Sequence, residues 1–453
     1  MNHFPPTRFA WAALGLLTTL VAVGCSGNLP TEPAAEAPVQ PGEAPTSRTI
    51  APSPATESPT VPPTGLSEEV SVPVSPVECM TPDLSVIGYV PDVPPPDILT
   101  ADNRPDGLRF ITAGWGTDWT RHTIPYDEIL SGGPPRDGIP SIDHPQFITP
   151  EQAADWLADT EPVIALIIGT DARAYPLQIL TWHEIVNDTV CGVPVAVTFC
   201  PLCNSALAFH REVEGQIVQF GTSGLLRYSD LIMYDRASET LWQQFTGAGI
   251  VGQYAGYQLT FIPASIISFA DFHTAYPNGI VLSRQTGYSR AYGANPYANY
   301  DSSTHPFLFT GALDERLPAM MRIVGVWIDG EAVAYPYTVL SDRRVVDDTV
   351  NGQDIAVFYT FGTNSALGAE RIAAAEDVGA AGVFDPNLDG RQLTFSWDGE
   401  RIVDDQTGSV WSITGQAISG SLEGAQLVPL VHSDHFWFAW AAFYPETRIY
   451  EGE

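Results

Sequence analysis

The feature that most narrows what this chain can fold into is internal. Ala174-Tyr175-Pro176 through Asn204-Ser205-Ala206 aligns without a gap to Ala334-Tyr335-Pro336 through Asn364-Ser365-Ala366, at an offset of 160. Leu180/Leu340, Val186/Val346, Asp188-Thr189-Val190/Asp348-Thr349-Val350, Gly192/Gly352 and Ala196-Val197/Ala356-Val357 are shared. The match resumes with looser spacing at Leu241-Trp242 against Val410-Trp411, Gln258-Leu259 against Gln426-Leu427, and Tyr276-Pro277 against Tyr444-Pro445. Self-similarity of this length implies two tandem copies of one unit, over residues 150–310 and 311–453.

Within the first copy the apolar runs are of β type: Val163 to Ile168, Arg173 to Tyr175, Val193 to Phe199, Leu207 to Val213 and Ile217 to Phe220. Glu214-Gly215-Gln216 between the last two is a hairpin signal. Thr149-Pro150-Glu151-Gln152 reads as a helix start, with a hydroxyl N-cap, proline in the first turn and glutamine at the capping-box position, leading to a short helix that ends near Ala158. Trp182 to Asn187 fits either one helical turn or an irregular link. The expected fold is mainly β with a few short helices, an α+β protein built from two copies of one β-rich unit.

Val193 to Phe199 runs straight into Cys200-Pro201-Leu202-Cys203, so two thiols three positions apart sit between a strand and a hairpin. In a thioredoxin arrangement the pair would open a helix instead. The second copy separates scaffold from chemistry. Trp182, His183 and Glu184 become Asp342, Arg343 and Arg344; Cys191 becomes Asn351; Cys200 and Cys203 become Thr360 and Thr363. What both copies keep is scaffold, and His183, Glu184, Cys200 and Cys203 are the candidates for chemistry.

Three readings fit that set. A C-x-x-C pair can close a strained disulfide and exchange electrons, with His183 favouring the thiolate or taking its proton and Glu184 orienting the imidazole. The same Cys200, Cys203 and His183 offer soft and borderline ligands to Cu(I) or Zn, with Cys191 or Glu184 completing the set. The third reading is structural, because thiols outside the cytoplasm often simply pair, as Cys79 and Cys191 can.

The remaining segments bound the setting. Ala10 to Val23 is an apolar and small-residue run of about 15 residues, short for a membrane span and suited to a signal-peptide core. Ala22-Val23-Gly24-Cys25 resembles a lipobox, so residues 1–25 form a lipoprotein signal and Cys25 is the lipidated residue. Residues 26–80 are Pro, Ala, Thr, Ser and Glu with almost no large apolar side chains, a tether unable to offset its ordering entropy. The expected location is the cell envelope, outside the cytoplasm, with the membrane reached through the lipid anchor. Residues 81–149 form a loop-rich leading segment containing Gly132-Gly133-Pro134-Pro135-Arg136-Asp137-Gly138-Ile139-Pro140.

All 20 basic residues are arginine, against 53 acidic ones, for a formal charge of −33. Schiff-base lysine chemistry is excluded, and a surface this acidic repels phosphate backbones, which excludes nucleic acid as a partner. A redox partner or small substrate is expected but not named by any motif. Tyr288 to Tyr300 carries four tyrosines and Arg290 in an insertion able to face a substrate. Asp235-Arg236 reads as an internal ion pair beside a core Trp242, and His432 and His435 as partly exposed histidines on an apolar C-terminal helix.

The motifs G-G-P-P-R-D-G-I-P (132–140), W-H-E-I-V-N-D (182–188), T-F-C-P-L-C-N-S-A (198–206), M-Y-D-R-A-S-E-T-L-W (233–242) and Y-G-A-N-P-Y (292–297) together resemble a secreted bacterial and archaeal family, domain-of-unknown-function family 3179. The resemblance runs from about Pro105 to the C-terminus. It implies, through selenoproteins among such relatives, redox chemistry at the C-x-x-C; this sequence carries ordinary cysteines at both positions.

Overall fold

The strand Pro162–Ile168, buried at every position but one, pairs antiparallel with Asp171–Pro176 across a turn at Gly169, whose φ of +59° suits glycine. A strand buried on both faces belongs in the middle of a sheet. It lies between Ala264–Ser268 and Asp171–Pro176, and the sheet continues to Ile280–Leu282 and Phe147–Ile148. Pro176 opens the helix Leu177–His183, which turns the chain into a second sheet of Ile185–Val190, Val193–Cys200, Ser205–His210 and Phe261–Ile262. A third sheet holds Ile129–Ser131, Phe220–Arg227, Asp230–Asp235, Leu241–Gln243 and Gly249–Val251.

The computed structural model describes residues 79, 82–92 and 94–452. The leader over 1–25, Cys25 and, Cys79 apart, the tether over 26–80 lie outside the described residues. Strand accounts for 38% and helix for 13%, which makes the fold mainly β with a few short helices. The helix after Thr149 has both arms of its capping box but stops at Ala153, short of Ala158. Trp182 and His183 close a helix, while Glu184 caps it with φ +58° and Ile185 begins a strand. The hairpin forms as Glu212–Val213 against Gln216–Ile217.

Element bounds in the later part of the chain fall 160 residues on: Arg322–Ile328, Glu331–Pro336, Tyr337–Arg343, Val345–Val350 and Gln353–Thr360. The side-chain bonds recur with them. Tyr175 donates to Asp188 at 2.6 Å and Tyr335 to Asp348 at 2.7 Å. Trp242 Nε1 donates to Asp235 at 3.0 Å and Trp411 Nε1 to Asp404 at 3.1 Å. Val281 pairs parallel with Ala174, as Ile449 does with Ala334.

One cluster of buried apolar side chains runs from Ile142 through Phe199, Trp242 and Ile323 to Trp440, so both blocks contribute to a shared core. The strand His432–Phe436 meets the turn that carries the thiols: Phe436 N donates to Cys203 O at 2.9 Å and Ser433 Oγ to Ala206 O at 2.7 Å. This corrects the reading of two histidines. His432 and His435 lie on that strand rather than on the following helix Trp437–Phe443, and both are buried. Burial pushes the His435 imidazole down to about 3.

Candidate functional site

Cys200 is the last residue of its strand and pairs with Ser205, so the two thiols bracket a tight reversal between antiparallel neighbours. Cys203 N donates to Cys200 O and Asn204 N to Pro201 O, each at 3.3 Å. Asn204 takes φ +52°, a conformation asparagine tolerates better than most residues. Both cysteines are free, and their exposures of 2% and 0% place the sulfurs beneath the surface. Burial raises both thiols, Cys203 the more strongly, while a bond from Cys203 favours the Cys200 thiolate.

A second reversal brings a carboxyl to them. Phe220–Arg227 and Asp230–Asp235 form a hairpin whose two loop residues, Tyr228 and Ser229, both have positive φ, at +52° and +64°. That is the backbone of a type I′ turn, usually made with glycine or asparagine, so strain is stored at this point. It sets Ser229 O 3.8 Å from Cys200 Sγ and drives Asp230 into the interior, where none of it is exposed. A carboxylate oxygen of Asp230 and both sulfurs all lie within 4.8 Å of one another.

Asp230 Oδ2 accepts from Gln243 Nε2 at 2.6 Å and Phe245 N at 3.0 Å, whereas Oδ1 has no hydrogen-bond partner and is left to the thiols. Burial pushes this carboxyl up to about 7 despite those donors. Glu184, also buried, is pushed up to about 8 by burial and then by the nearby charge of Asp230, against a bond from Tyr297 that lowers it. Four acids thus share one interior site. A redox dithiol could use Asp230 as its proton carrier, and a soft or borderline cation could take the same two sulfurs and the carboxylate.

His183 is engaged elsewhere. Its Nδ1 bonds Pro140 O and its Nε2 bonds Tyr292 Oη, both at 2.7 Å, and burial holds the ring near 4, neutral at physiological pH. Neither ring nitrogen is bonded to a sulfur, and the side chain that the fold brings up to both sulfurs is Asp230. Asp230 escaped the sequence reading because Tyr228-Ser229 is an unusual hairpin turn. A signal existed: anchoring on Asp235/Asp404 and Trp242/Trp411 sets Asp230 opposite Gly399, so it is lost with the cysteines.

Two other expectations are settled by the geometry. Cys79 and Cys191 form a disulfide, with Cα atoms 5.3 Å apart. Arg236 does not pair with Asp235. It bonds Asp143 at 2.6 Å and Asp137 at 3.1 Å, while Asp235 holds Trp242 and the Ser238 turn.

Against the C-x-x-C turn lies a cleft of about 460 Å³, walled by Ile139, Leu226, Leu231 and Phe307 and reached by Glu184 and Leu202, with both sulfurs and Asp230 buried behind that lining. Tyr297 and Tyr300, from the tyrosine-rich insertion, form its other side. Tyr300 Oη donates to Leu202 O at 3.0 Å and accepts from Phe307 N at 3.2 Å, strapping the insertion over the C-x-x-C turn. The strap is anchored below by Tyr300 N to Leu367 O, Asn299 N to Gly368 O and Asn295 N to Glu370 O.

A family model described as protein of unknown function (DUF3179) matches residues 136–447. The chain belongs to that family. The DUF3179 region contains the C-x-x-C turn, Asp230, Glu184, His183 and the strap, so the whole site is family territory. No curated protein and no solved structure matches the chain significantly.

Proposed function

We propose that this DUF3179 protein is a thiol redox protein in which Cys200 and Cys203 alternate between dithiol and disulfide. Each cycle moves two electrons and two protons, as thiol–disulfide exchange or as electron transfer. The observation that carries this reading is the Asp230 carboxyl, near-neutral in pKa and within 4.8 Å of both free sulfurs. A general base works best when its pKa lies close to the working pH. Cys200 is the nucleophile of the pair, because Cys203 favours its thiolate.

A second reading is favoured by the same triad. Two sulfurs and a carboxylate within 4.8 Å of one another form a donor set for zinc or copper. One experiment separates the two: metal content and midpoint potential measured on anaerobically purified protein. A reversible two-electron couple that disappears in Cys200→Ser supports the redox reading; stoichiometric metal, lost in Cys200→Ser, overturns it.

We also read the protein as a lipid-anchored component of the cell envelope, held through Cys25 outside the cytoplasm. The leader pattern supports this, and so does the Cys79–Cys191 disulfide, which suits an oxidising compartment. The recurrence of element bounds supports descent of residues 150–310 and 311–453 from one duplicated unit, with the chemistry retained in the first.

A further inference from the structure

We propose that the cleft over the C-x-x-C turn takes a quinone, a neutral two-electron carrier that the dithiol reduces to the hydroquinone. This rests on the redox reading above and names the oxidant class for that site.

Three features point to it. The first is polarity. The lining contains leucines, prolines, Phe307 and the two tyrosines, with Glu184 as the one acidic group and no arginine or histidine among the described residues. A phosphate-bearing nucleotide or an anionic thiol peptide would find no counter-charge there, and the chain's charge of −33 would repel it. The second is shape. About 460 Å³ falls in the range of small-molecule sites, and Tyr297, Tyr300 and Phe307 put three aromatic residues in the lining, a composition that suits a flat ring system. The third is position. Leu202 lines the cleft and lies between the two cysteines in sequence, so a ligand seated there rests on the C-x-x-C turn, with the buried sulfurs behind it.

The reaction balances without a further reactant. The Cys200 and Cys203 sulfurs join in one S–S bond as their two S–H bonds break, and the electron pair released passes through the turn to the quinone seated against it. The dithiol loses two electrons and two protons; the quinone gains both and leaves as hydroquinone. Asp230 beside the sulfurs and Glu184 at the cleft mark the route for the protons.

The test mixes reduced full-chain protein, without oxygen, with decyl-substituted benzoquinone and, separately, with an oxidised small dithiol. The expected result is one hydroquinone formed and two thiols lost per protein. Ala298→Trp, which fills the outer wall of the cleft, should lower the quinone rate about tenfold or more relative to the rate with the small disulfide. An unchanged ratio overturns the proposal. So does a stable sulfur–quinone adduct in place of hydroquinone, or indifference to quinone by a pair that the small disulfide oxidises readily. A pair that neither reagent converts to a disulfide removes the redox reading itself, and this inference with it.

Discussion

Asp230→Asn is the substitution that probes the site most directly, because it removes one ionisable proton while keeping the volume and the acceptor that Gln243 and Phe245 N use. In the fold the Asp230 carboxyl is pushed from its ordinary 3.8 up to about 7. A folded-state value above the unfolded one means that the protonated group's contribution is fully present below about pH 4. It is lost as pH rises through about 7. At about 1.4 kcal/mol per pH unit, that window is worth at most about 4 kcal/mol. Glu184 shares the same interior and its value is raised by Asp230, so the two cannot be counted separately, and about 2–4 kcal/mol is the expected range.

Urea unfolding of reduced wild type and Asp230→Asn, compared at about pH 5 and about pH 8.5, reads this difference. The variant should gain on wild type by about 2–3 kcal/mol between the two conditions, because about two pH units of the window lie between them and wild type must bury one charge more than the variant at the higher pH. The sign also separates the two proposed chemistries. A cation held by Cys200, Cys203 and Asp230 would keep the carboxylate ionised and hold its folded value down. The wild-type advantage would then be present at the higher pH and lost on acidification. A gap that stays constant, or that moves in favour of wild type as pH rises, refutes the assignment of Asp230 as an acid whose charge the interior disfavours.

Three further outcomes follow from the geometry. His183→Asn should change stability through the lost Tyr292 bond yet leave the pH profile of Cys200 alkylation where it was, whereas Asp230→Asn should move that profile; a shift with the histidine variant instead would return the base to His183. Cys79→Ser opens a disulfide joining residues 112 apart and should cost about 2–5 kcal/mol, read as a lower thermal midpoint. Gly224→Ala drives a Cβ into Pro134 O at φ +75°, so it should destabilise by about 1–3 kcal/mol and distort the cleft wall, seen as a weaker urea midpoint; a neutral result would show that the Pro134 loop yields freely.

Much of the scaffold was legible because it is local or repeated. The Thr149 capping box, the Glu214-Gly215 hairpin and the strand ending at Cys200 each depend on a few adjacent residues. What could not be read were contacts between segments far apart in sequence. Asp235 and Arg236 are neighbours, but the strand ends at Asp235 and Arg236 opens the turn that follows, from which the guanidinium reaches Asp143 instead. His432 and His435 looked like surface groups because their cover, including Ser265 and Phe245, comes from the other half of the chain.

The later half of the chain shows why the site's members stand or fall together. Its backbone keeps the positive φ of the helix cap, +68° at Arg344 against +58° at Glu184, yet the side chain has changed sign and stacks 4.0 Å over Phe361. Gly399 stands opposite Asp230, and Thr360 and Thr363 opposite the thiols. Buried acids without the groups they serve would cost desolvation for nothing in return, so loss of the sulfurs removes the reason to keep either carboxyl. In the first half all four persist in an interior where burial raises the cost of ionising each of them. Packing alone would not hold such a cluster together, because apolar residues of the same size would fill that space at lower cost; the redox chemistry proposed for the pair would use all four groups.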